Sequence, residues 1–184
     1  MTVSRSTPRL RLTALLLLGV LALVATTERT TATGLAGLLL QLFGLACVAC
    51  AALGRVWASV FIAGYKDTQL VRGGPYSVLR HPLYALSLLA MLGAGLTTRS
   101  ATLTAALLVV FAAIYARAAR EEDRFLRSAH GEAFDRYARE VNAFRPRWPA
   151  YTVPEAIEVR PRVLWKAFLD AGTLLGYWML LILA

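Results

Sequence analysis

The sequence predicts an all-α, polytopic helical membrane protein with about five transmembrane helices, each needing roughly 17–25 residues. Three observations point there. The chain of 184 residues is 58% hydrophobic with a mean hydropathy of +0.56, more apolar surface than a soluble domain this small could hide. Its apolar residues gather in runs without charge, Leu12–Thr27, Thr30–Gly54, Pro82–Thr98 and Ser100–Ala116, and a last one, Val163–Ala184, is interrupted only by Lys166 and Asp170. Finally, the formal charge of +9 is distributed asymmetrically about those runs.

Taken in order, the first run follows Arg5, Arg9 and Arg11 and resembles a signal peptide, but no small-x-small cleavage site follows it, so it is expected to be the first span. The second run carries Cys47 and Cys50, a C-x-x-C set among Leu, Ala and Val and expected to be two small hydrophobes on one helix. The loops "TTERTTATG" and "TTRS" are short, whereas residues 55–81 and 117–162 form two long polar segments. With the N-terminus inside, Arg29 and Arg99 lie outside and the other eighteen of the twenty Lys and Arg lie on one side, the pattern of cytoplasmic segments. The basic excess is read as topology and attraction to anionic lipid, and not as nucleic-acid binding. Short runs are served by flanking Arg side chains that snorkel. Lys166 and Asp170, four residues apart, are expected to pair locally. The whole is expected to be one membrane domain: two spans in residues 1–54, a core in 55–150, and a connection with the last span in 151–184.

Function is expected where the two long polar segments meet. The stretch "ARAAREEDRFLRSAHGEAFDRYAREV" has helical spacing, with Asp123 placed to meet Arg127, Glu132 to meet Arg136 and Asp135 to meet Arg139. Glu121 has Arg117 and Arg124 three or four residues away. Around Glu122 the same positions hold Ala118, Ala119, Phe125 and Leu126. That puts a carboxylate on the apolar face of its own helix, where a buried charge demands a cation from elsewhere. Arg55 and Arg80 are candidates within the chain, and a positively charged ligand is the other. In the first polar segment, Pro82 suits the first turn of a helix and holds His81 extended just before it. Gly73, Gly74 and Pro75 pin a turn before Tyr76, so a rigid polar platform with Tyr76 and Tyr84 is expected at the membrane surface.

"LVRGGPYSVLRHPLY", a pair of spans, then "EEDRFLRSAHGEAFDRY" and "VNAFRP" resemble the isoprenylcysteine carboxyl methyltransferase family and its phospholipid methyltransferase relatives. These are integral membrane enzymes that use S-adenosylmethionine (SAM). The matching positions are Gly74, Tyr76, Arg80, His81, Pro82, Tyr84, Glu122, Leu126, Gly131, Tyr137 and Pro146, and the resemblance covers roughly residues 45–150. It implies a cytosol-facing cofactor cleft between the two polar segments. There SAM would be held by Gln69, Leu70 and Val71, by Tyr76, by His81, Pro82, Leu83 and Tyr84, and by Glu122 at its ammonium. A Tyr84 ring face near the sulfonium would add roughly 0.5–2 kcal/mol. The resemblance implies methyl transfer to a lipid-linked or apolar acceptor, foremost a carboxylate as in isoprenylcysteine O-methylation. A phospholipid amine, a small thiol, or a non-catalytic protein retaining the fold are the alternatives. No metal is implied.

The sequence departs from the family at Leu86, where the family has Gly, and at Asp123, where it has a second Glu. Ala118 stands where the prenylcysteine enzymes carry an arginine facing the acceptor. Arg117 and Arg120 flank it, and with Arg55 and His81 they are the catalytic candidates. A carboxylate acceptor needs no general base, whereas an amine or thiol would, and His81 is the base expected nearby.

Overall fold

The computed structural model of the protein describes residues 34–62, 69–157, 159 and 161–183. Six α-helices and one 3-10 turn, with no strand, make up the described residues: α1 Leu35–Ile62, α2 Pro75–Val78, α3 Pro82–Thr97, α4 Ala101–His130, α5 Glu132–Glu140, the turn Trp148–Ala150, and α6 Pro161–Leu183. The run Leu12–Thr27 lies outside them. Helices α1, α4 and α6 are long and apolar enough to cross a bilayer. Helix α3 has 16 residues, about 24 Å at 1.5 Å per residue, and so falls short of a hydrocarbon core of about 30 Å.

Pro82 starts α3 at the position where a missing N–H does no harm. Its far end stops at a tight turn. Arg99 takes a left-handed φ of 59°, and Ser100 Oγ caps α4 by accepting from Leu103 N at 3.3 Å. Helix α1 packs chiefly on α3 and then on α6. The α1–α3 crossing is close because two glycines face each other: a Cβ on Gly93 would fall 2.5 Å from the Gly44 carbonyl oxygen. Helix α6 is tied to α3 by a bond from Trp178 Nε1 to Thr97 Oγ1 of 2.7 Å. Ala51, Ala90, Met91, Ala94, Leu103, Leu107, Phe111 and Leu181 close the core between these helices. Leu38, Leu42, Phe43, Phe168 and Leu169 point outward, as lipid-facing side chains of α1 and α6 do.

Two departures from the sequence expectation position the site. Helix α4 does not end with its apolar run at Ala116; it continues to His130, so 30 residues span about 45 Å as one rod. The membrane wall and the charged Glu121-Glu122-Asp123 step therefore share one rigid element. The helix then breaks at Gly131, whose φ of 51° suits glycine, and α5 folds back. Phe134, Tyr137 and Val141 bury themselves against Leu70 and Leu126. Arg127 consequently meets Asp135 across the break, at 2.8 Å, instead of Asp123 on its own helix.

The connection after α5 is irregular, as expected, but pinned. Asn142 O accepts from Arg80 N at 2.9 Å, Ala143 O from His81 N at 3.3 Å, and Val78 O from Arg147 N at 3.1 Å. The segment lies along the polar platform like a strap.

Candidate functional site

The platform begins with a glycine that its surroundings require. Gly74 has a φ of 60°, and the Phe61 ring lies where a Cβ would project. One turn of helix, α2, then buries Tyr76, and Tyr137 Oη on α5 donates to the Tyr76 carbonyl at 2.7 Å. Leu79 is extended, Arg80 and His81 follow, and Pro82 opens α3. Pro82, Gly74 and the strap thus fix the corner from three sides.

The charged step of α4 meets this corner. Asp123 Oδ1 lies 2.9 Å from His81 Nε2, and Asp123 Oδ2 accepts from Arg80 Nη1 at 2.9 Å. Glu122 Oε2 lies 3.6 Å from His81 Nδ1. His81 is buried, at 4% exposure. Burial opposes charge on the imidazole, but the bond to Asp123 and the nearby Glu122 carboxylate outweigh it and hold the His81 pKa above its ordinary value. Asp123 is therefore committed to the corner, where the sequence suggests a partner on its own helix. The His81 ring stacks with Tyr84 at 5.6 Å, and Tyr84 with Tyr115 at 5.5 Å.

A cavity of about 790 Å³ descends from the corner. Tyr76, Arg80, His81 and Glu122 line its charged part, and Tyr84, Ser87 and Met91 follow along α3. Phe111 and Tyr115 on α4 and Asp170, Leu174, Tyr177 and Leu180 on α6 continue it among apolar residues. Helices α4 and α6 pack on α3 and not extensively on each other, so the cavity occupies the seam between them. A second, smaller cavity of about 50 Å³ adjoins it, lined by Gln69, Leu70 and Val71 and sharing Tyr76, Arg80 and Glu122 with the first. Tyr76 Oη is buried at this junction with no hydrogen-bond partner among the described residues.

The residues singled out in the sequence distribute unequally. Tyr76, His81, Pro82, Leu83, Tyr84 and Glu122 line the larger cavity, and Gln69, Leu70 and Val71 line the smaller. Arg55 also lines the larger one. Its Nη1 donates to Ser87 Oγ at 2.6 Å and to Leu83 O at 3.3 Å, and no acid lies within ion-pair distance of it among the described residues. Arg117 and Arg120 line neither cavity: Arg117 is 79% exposed and bound to Glu121 at 3.1 Å, and Arg120 is exposed. Leu86 is also away from the cavity, seated over Gly54 of α1, so its bulk changes helix packing and not the cleft. Asp170 is the residue that sequence spacing misassigned. It sits near the middle of the 23-residue α6 and lines the cavity, with no ion pair to Lys166.

Fold and site together define a polytopic helical membrane protein in which a charged corner opens onto a mainly apolar cavity between helices. The chain belongs to the phospholipid methyltransferase family, whose profile matches residues 30–133, more than half of its length. It is 48% identical over 104 residues to the cobalt-zinc-cadmium resistance protein CzcN of Cupriavidus metallidurans, covering 56% of this chain and 48% of that protein. It is 45% identical over 100 residues to the nickel-cobalt-cadmium resistance protein NccN of Alcaligenes xylosoxydans xylosoxydans, covering 54% and 46%. The chain spans about half the length of these curated relatives. No solved structure matches it significantly.

Proposed function

We propose that this chain is a SAM-dependent membrane methyltransferase acting on a lipid-linked or apolar acceptor, most favourably one that presents a carboxylate. The observation that carries the reading is the meeting of Glu122 and the buried Tyr76 hydroxyl, beside His81, where a small cavity adjoins a large one, both mainly apolar. The residues fit the cofactor. The smaller cavity offers Gln69 and the chain at Leu70 and Val71, the Tyr76 hydroxyl is a buried polar atom in search of a partner, and Glu122 supplies the carboxylate an ammonium requires. His81, Pro82, Leu83 and Tyr84 would extend the site along the larger cavity. When bound, SAM supplies a methyl group already activated by its sulfonium. The Tyr84 ring, which lines the cavity and contacts His81 and Tyr115, would add a cation–π contact near the sulfonium.

The chain's own part is placement and exclusion of water. Arg55, half-buried and held by Ser87 and Leu83, would orient an anionic acceptor group. The apolar part of the cavity would take a lipid tail through the seam between α4 and α6. Arg117 and Arg120, facing away, have no part in this scheme. A second reading, N-methylation of a phospholipid amine, is favoured by Asp170, an acid deep in a span that lines the same cavity. The N-terminus and the corner would face the cytoplasm, which the one-sided Lys and Arg distribution supports. The names of the two relatives suggest a physiological setting in resistance to cobalt, cadmium, zinc or nickel, with methylation of a membrane component as the contribution of this chain.

Calorimetric titration of SAM into the full chain in lipid nanodiscs tests the reading. Saturable binding that Glu122→Ala abolishes is expected; undiminished binding in that variant refutes the assignment of Glu122.

A further inference from the structure

Asp123 lines neither cavity, and the cofactor and acceptor assignments leave it out. Yet both of its oxygens are committed to the corner, each at 2.9 Å, one to His81 Nε2 and the other to Arg80 Nη1. The His81 ring it holds is 4% exposed and turns its remaining nitrogen, Nδ1, toward Glu122 Oε2 at 3.6 Å. We infer that Asp123 is a positioning residue: with Arg80 it fixes His81 as an imidazolium, and that cation steers the Glu122 carboxylate, which faces both cavities. The importance of steering Glu122 rests on the methyltransferase reading; the charge state of His81 does not.

The chemistry follows from the inventory of donors. An ionised carboxylate only accepts hydrogen bonds, and a neutral imidazole has one N–H and one lone pair. Between two carboxylates the neutral ring would aim its lone pair at one of them, whereas the imidazolium offers an N–H to each. Every element packed on the ring bears on this. Helix α4 presents Asp123 and Glu122, and α3 presents Tyr84, stacked on the ring. The strap presents Phe144 at 5.9 Å, which carries no charge. Among the described residues, Arg80 is the cation that neighbours the ring in sequence, and its charge is met by Asp123. Tyr76, facing Glu122 from α2, stays a neutral phenol because burial, and then the Glu122 charge, push its pKa well above the ordinary range. A consequence for the reaction is that His81 is no general base. The acceptor must arrive as a nucleophile, as a carboxylate does.

The chain contains two histidines, so the test is spectroscopically clean. The full chain, labelled with nitrogen-15 at histidine and held in nanodiscs, is titrated by NMR, with His130→Gln assigning the signals. The His81 ring is expected to hold its proton to higher pH than an ordinary histidine does. Asp123→Asn is expected to lower its midpoint by about one pH unit or more and to weaken SAM binding about tenfold, and Asp123→Glu to restore both. A merely structural Asp123 would change thermal stability but leave the midpoint in place. A wild-type His81 that titrates as a free histidine does, or a midpoint that Asp123→Asn does not move, overturns the inference; the wild-type titration decides it even if the variant fails to fold. A raised His81 midpoint in a wild-type chain that binds no SAM would sink the methyltransferase reading while leaving the charge state established.

Discussion

Replacing Tyr76 by Phe removes one oxygen and leaves the ring. Tyr76 is 7% exposed and its hydroxyl has no partner among the described residues. A buried polar group without a hydrogen bond costs about 1–3 kcal/mol, so its removal should stabilise the ligand-free chain by about 1 kcal/mol once the site relaxes. If the same hydroxyl bonds the methyl donor, Tyr76→Phe loses a neutral hydrogen bond of about 0.5–1.5 kcal/mol, raising the Kd for SAM by about 2- to 12-fold. The two effects have opposite signs, which is what makes the substitution informative. Burial and the Glu122 charge keep the phenol protonated, so both effects should be insensitive to pH near neutrality. Thermal unfolding in detergent, with and without SAM, reads them together: the ligand-free midpoint should rise and the SAM-induced increase should shrink. A lower ligand-free midpoint with an unchanged SAM response would show that the hydroxyl is structural, and the reasoning from an orphaned polar atom would be wrong.

Three further outcomes are expected. Arg55→Gln should slow methyl transfer to an anionic acceptor by about 10- to 100-fold, the loss of a charge-assisted contact, yet leave SAM affinity within about threefold; equal losses in both would place Arg55 on the donor side. Gly93→Ala puts a methyl 2.5 Å from the Gly44 carbonyl and 2.8 Å from Val48, and should destabilise the chain by about 1–3 kcal/mol in thermal unfolding, against little change for Gly172→Ala, whose surroundings are open. Because folding raises the His81 pKa, its charged interactions stabilise fully below the unfolded value of about 6.5 and fade as pH rises through the folded one. The unfolding midpoint should therefore decline with rising pH above neutral in the wild type, and His81→Gln should flatten that slope.

The helical class was legible because uncharged runs of span length admit few other folds, and the corner was legible because Gly74, Pro75 and Pro82 each constrain the backbone locally. The partners of Asp123 were not. Helical spacing reveals only neighbours on the same helix, and the stronger contacts with Arg80 and His81 come from 43 and 42 residues away. Arg117 and Arg120 could have been set aside from helix geometry alone. Tyr115 and Glu122 are two turns apart on one face, and those arginines fall on others. Asp170 was misjudged for the opposite reason: an obvious local partner at Lys166 hid its place in the cavity wall, which only the packing of α6 on α1 and α3 creates. Leu86 drew attention as a departure near the site, but its consequence depends on Gly54, in a different helix.

Methyl transfer itself is the most direct test of the site. The purified full chain, incubated with methyl-labelled SAM and a membrane extract, should move label into the organic phase. A carboxylate acceptor would give a base-labile product, and an amine acceptor a base-stable one. Label transfer by the wild type no greater than by Glu122→Ala would contradict the central claim that the corner and its cavity form a methyltransferase site.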